Sequence, residues 1–75
     1  MTTNEFMNNL YNAIGCEVSG VKDGLAFLGK ITATRAKYGN DIRVTVEDEF
    51  NIYLIDGAEL MDGKGGGYTN LHVYF

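Results

Sequence analysis

The densest chemistry in this chain lies in six residues, Arg35-Ala36-Lys37-Tyr38-Gly39-Asn40. Arg35 and Lys37 can neutralise phosphates, Tyr38 offers a ring face on which a base stacks, and Asn40 presents both a donor and an acceptor to a base edge. Basic, aromatic and amide residues together in one short loop are what single-stranded RNA recognition uses. The plainer reading of the same stretch is a hairpin turn over residues 38–41, with Gly39 and Asn40 supplying positive φ. Both readings can hold together.

Elsewhere the chain is poor in reactive groups. His72, the only histidine, sits in an alternating run on the face opposite Leu71, Val73 and Phe75, as a surface residue would. Cys16, the only cysteine, has no basic neighbour and follows a helix end instead of preceding one, so it reads as a small core residue. Glu47, Asp48 and Glu49 alternate across a strand and lack the glycine-turned oxygen geometry of a calcium loop; they read as a solvated strand end. Gly63 and Gly65–Gly67 flank Lys64, but a phosphate cradle needs a helix after the loop and a strand follows here, which leaves a mobile loop. No catalytic residue, metal site or cofactor is expected.

The elements that must position the 35–40 loop follow from the hydrophobic pattern. Thr2 with Glu5 three residues later fits a capping box, and Phe6, Met7, Leu10, Tyr11 and Ile14 recur at helical spacing, which predicts a helix over 3–14 stopped by Gly15. Beyond Gly15 the pattern is that of strands. "CEVSGV" is short and ends at "KDG", "LAFLGKITATR" is long, and "DIRVTVEDE" alternates strictly, with Ile42, Val44 and Val46 on one face and Arg43, Thr45 and Glu47 on the other. A turn near Phe50–Asn51 leads to "IYLI"; "DGA" reads as a reversal into a further strand at "ELM"; after the glycine loop, "YTNLHVYF" is the last strand.

Gly29 interrupts the long strand between Phe27 and Ile31, where a glycine loses backbone entropy and packs nothing. It predicts the corner of a sharp bend. A short meander with one small helix cannot bury a flat sheet, so the fold expected is mostly β with one N-terminal α-helix, its five or six antiparallel strands strongly bent into a small barrel. One domain spans 1–75: the helix at 3–14, a barrel core at 16–62, and the glycine loop and C-terminal strand at 63–75.

Size and charge narrow the rest. A chain of 75 residues with one cysteine and no proline is near the lower limit for a self-sufficient core, and oligomerisation is the usual remaining aid. No apolar run approaches a membrane span, and "MTTNEFMNNL" lacks the regions of a signal peptide, so a cytoplasmic protein without membrane contact is expected. The net charge of −4 opposes wholesale wrapping of nucleic acid, but Lys30, Arg35, Lys37 and Arg43 fall close together, ahead of an acidic stretch from Glu47 to Asp62.

Gly24-x-x-Phe27-x-Gly29-x-Ile31 resembles the first half of the signature of the Sm/LSm family, a glycine turn followed by a bent second strand. "YLIDGAELM" resembles the second half through Leu54, Ile55, Gly57 and Leu60, with Asp56 standing where that family usually has Arg or Lys. The loop "TRAKYGND" is longer than the family's, and only Tyr38 and Asn40 can stand in for its aromatic and amide residues. A generic SH3-like barrel and an open α+β sheet are the alternatives. The resemblance implies an Sm-like (SH3-type) barrel that assembles as a homo-oligomeric ring of about five to seven subunits. It further implies non-catalytic binding of single-stranded RNA or DNA; together with the cations read from the 35–40 loop, the expected site residues are Arg35, Lys37, Tyr38, Asn40, Asp56 and Gly57. The competing expectation is an acidic protein-binding adaptor or inhibitor of the kind a mobile element carries.

Overall fold

The N-terminal helix starts as expected. In the computed structural model, which describes residues 1–75, α1 (Thr3–Tyr11) follows Thr2. The Thr2 hydroxyl accepts from the Glu5 amide at 3.1 Å, and the Glu5 carboxylate accepts from the Thr2 amide at 3.3 Å, which completes the capping box. The helix stops short of residue 14. Asn12 caps its end and donates its side-chain amide to the Asn8 carbonyl, a local bond by which Asn competes with helix continuation. Met7, Leu10 and Ala13 are buried, whereas Ile14 is exposed.

Five strands and a second helix follow: β1 (Glu17–Lys22), β2 (Leu25–Ala36), β3 (Ile42–Glu47), β4 (Ile52–Asp56), α2 (Gly57–Asp62) and β5 (Tyr68–Tyr74). The strands form one antiparallel sheet in the order β4-β3-β2-β1-β5. β2 serves two partners in succession, pairing with β1 from Leu25 to Lys30 and with β3 from Lys30 to Ala36. Lys30 alone is shared. A Cβ on Gly29 would stand 2.8 Å from the Glu47 carbonyl oxygen and 2.9 Å from Val46 Cγ1, so the side chain is missing where β3 comes closest. A register shift follows between Ile31 and Ala33.

Two expectations are corrected. "ELM" is not a strand but the middle of α2. Ala58, Glu59, Leu60 and Met61 are all good helix formers, and three residues are too few for periodicity to separate the two states. Gly63, at φ 80°, ends that helix in the left-handed conformation. The sheet is also not closed, because β4 and β5 share no main-chain ladder. α2 occupies the connection between them, and aromatic side chains fill the seam: Phe27 stacks on Tyr53 at 4.2 Å, and Tyr53 meets Tyr68 edge-on at 6.4 Å.

β5 is no appendage to a finished core. It pairs with β1 and contributes Tyr68, Leu71 and Val73 to the same buried cluster as Leu10, Val18, Ile31, Val44, Val46 and Ile55. Ile42, Val44 and Val46 are all buried, as their alternation requires. No helix is long and apolar enough to cross a membrane.

Candidate nucleic-acid interface

The β2–β3 connection is a hairpin closed by a hydrogen bond from the Lys37 amide to the Asp41 carbonyl at 2.9 Å. Gly39, at φ 80° with open space around it, provides the turn. Tyr38 beside it is fully exposed, and Asn40 is exposed as well. The tip is nevertheless anchored, since the Asp41 carboxylate accepts from the Ile42 amide at 2.7 Å and from the Ala58 amide of α2 at 3.1 Å. A fixed turn therefore displays a free aromatic ring.

The residues flanking the tip are set by strand register. Arg35 of β2 lies directly opposite Arg43 of β3, and Arg43 directly opposite Asp56 of β4. One row further along the strands, Ala33 is opposite Thr45 and Thr45 opposite Leu54. Both rows share the solvent face, because Val44 between them is buried on the other side. Arg35, Arg43, Ala33, Thr45 and Leu54 of these rows, with Thr34, line an open depression of about 320 Å³. Arg43 completes this group although it lies outside the 35–40 loop. Strict alternation already placed it on the wet face of its strand; what sequence lacked was the hairpin register that sets it against Arg35.

Asp56 ties two of the cations together. Lys37 Nζ donates to its Oδ2 at 2.9 Å and Arg43 Nε donates to its Oδ1 at 3.0 Å. The Lys37 hydrogen bond, reinforced by Arg43, holds the Asp56 carboxyl below the usual carboxylate range against the opposing effect of burial. Arg35 takes part in no ion pair. Of the residues expected at the site, Arg35, Lys37, Tyr38 and Asn40 thus share one end of the sheet with Asp56 as an internal counter-ion. Gly57 is buried, where a Cβ would stand 2.7 Å from Met7 Sδ and 3.1 Å from Leu10 Cδ2. Its lack of a side chain lets α1 pack against the start of α2.

The other residues read for chemistry lie elsewhere. His72 is exposed, with its ring edge-on to Tyr74 at 4.4 Å, and Cys16 packs half-buried against the core. The glycine loop is tied down and not merely mobile: Lys22 Nζ donates to the Gly66 carbonyl at 2.8 Å, and the Leu71 amide donates to Gly63 at 2.9 Å. No three of the His, Cys, Asp and Glu side chains come together as a metal-binding set. No protein-family model, curated protein or solved structure matches this chain.

Proposed function

We propose that the chain is a non-catalytic, Sm-like module that binds single-stranded RNA or DNA at the hairpin end of its sheet. The observation that carries this reading is the juxtaposition of Arg35 and Arg43 on one exposed face beside the fully exposed Tyr38. Cations hold the backbone, the tyrosine ring takes a base, and Asn40 meets a base edge. The passage of β2 from β1 to β3 beside Gly29 and the helix-first order support the Sm-like part of the reading.

Self-association belongs to the same proposal. β4 and β5 are both free edges. Pairing β4 of one copy with β5 of the next satisfies both and closes a ring of about five to seven copies. A ring also repeats the hairpin site, so that several weak contacts act on one strand at high effective concentration.

Titration of labelled uridine-rich and adenine-rich oligonucleotides, at low and at physiological salt, tests the binding. Tyr38→Ala weakens it by about 1–3 kcal/mol per engaged base, whereas Tyr38→Phe keeps most of the affinity because stacking needs only the ring. No binding by the wild type at low salt, where the electrostatic contribution is greatest, overturns the reading in favour of the acidic adaptor. Light scattering that finds a monomer at every concentration overturns the ring.

A further inference from the structure

Two arginines directly opposite each other on neighbouring strands repel, and such like-charge pairs destabilise a sheet. Arg35 and Arg43 form such a pair, and both are exposed, so neither fills the core in compensation. Asp56 moderates the repulsion from one side only. It grips Arg43 through Nε and leaves the Nη groups without a partner in the chain, while Arg35 has no counter-ion at all. The carboxylate therefore does more to orient Arg43 than to neutralise the pair. Beside the arginines, the row of Ala33, Thr45 and Leu54 gives the depression a small-residue floor, one hydroxyl, and one apolar wall that is more than half exposed.

Resting on the nucleic-acid reading above, we infer that this depression is a phosphate seat. Arg35 and Arg43 converge on one phosphate of a bound nucleotide, and the attached sugar lies over Ala33 and Thr45 against Leu54. Guanidinium groups suit this role because their planar donor forks match phosphate oxygens in pairs, which an ammonium cannot do. The seat is separate from the hairpin tip: Tyr38 faces a base, and the arginine pair faces the backbone.

The test follows the Nε–H signals of Arg35 and Arg43 by NMR as inorganic phosphate is added to the full chain, with chloride at matched ionic strength as control. Phosphate is expected to shift both signals to saturation and chloride to leave them in place. Arg35→Gln, an exposed substitution, is expected to reduce the apparent phosphate affinity about tenfold, and Arg35→Lys to restore it only in part. A response equal to that of chloride, or an unchanged affinity in Arg35→Gln, overturns the seat. The same oligonucleotide with a 5′-phosphate and with a 5′-hydroxyl distinguishes a terminal phosphate from an internal phosphodiester. If oligonucleotides bind while neither arginine signal responds, the seat fails and the nucleic-acid reading stands. If phosphate binds and no oligonucleotide does, the seat stands and that reading fails.

Discussion

At one end of β3 the chain turns through Lys37–Asp41, and at the other through Asp48–Asn51; the two turns use their polar side chains differently. In the second, the Asp48 carboxylate accepts from the Phe50 amide at 2.8 Å, the Asn51 amide at 2.7 Å and the Tyr53 hydroxyl at 3.1 Å. The amides of Phe50 and Asn51 are the main cause that holds its carboxyl below the usual range. In the first, the Asp41 carboxylate likewise accepts two amides and Lys37 pairs with Asp56, but Tyr38 at the tip and Arg35 just before the turn make no side-chain hydrogen bond within the chain. The physical reason is an asymmetry between the charges. Turns leave backbone N–H groups without partners, and a carboxylate can accept from them, whereas a cation cannot. The acids of both turns are therefore drawn into the fold, while Arg35 beside the first is left without a partner, and a net negative chain can still present a cationic face.

The sharpest way to break this comparison is at Gly29, which sits against the Glu47 end of β3. Gly29→Val forces a side chain into the Glu47 backbone, which cannot move aside as a flexible side chain would, and should cost on the order of 1–3 kcal/mol in chemical denaturation. A change within about 0.5 kcal/mol would mean that the two strands are not pressed together there. Asp48→Ala comes next: it orphans two amides and a hydroxyl, and should lower the melting temperature clearly more than Tyr38→Ala or Asn40→Ala at the hairpin tip. An equal effect at the two turns would erase the contrast.

Asp56→Asn sharpens the comparison at the other end. As a partly exposed ion pair, it should cost about 1 kcal/mol or less at neutral pH. The Asp56 carboxyl is held below its ordinary value of 3.8 in the folded chain, so its contribution is fully present above that value. It is lost as pH falls through the folded-state value. Wild type and Asp56→Asn should therefore differ at pH 7 and converge in acid, which urea titrations at the two pH values would reveal. The smallest effect belongs to Tyr38→Ala, which should leave stability within about 0.5 kcal/mol because an exposed ring packs against nothing. A larger loss would show the ring to be structural.

How far the sequence reaches is visible in the same residues. The Thr2–Glu5 cap and the alternation of Ile42, Val44 and Val46 are local signals and appear in the fold as read, and the gap at Gly29 appears as a close approach of β3. The helix at Gly57–Asp62 was not legible, because its start depends on a cap from Asp41, distant in sequence, and on Met7 and Leu10 lying over Gly57. The hairpin tip was legible as a set of types, since Arg35, Lys37, Tyr38 and Asn40 are close along the chain. The pairing of Asp56 with Lys37 and Arg43 was not, because it depends on the register of three strands.

β5 carries one more consequence. Three of the four strand pairings join neighbours in sequence, and only β1 with β5 brings distant parts of the chain together. The hairpins can assemble early, each after closing a short loop, but the β1 edge stays bare until the last strand arrives. Folding therefore ends on a single long-range docking event, and the buried cluster lacks Tyr68, Leu71 and Val73 until that event is complete.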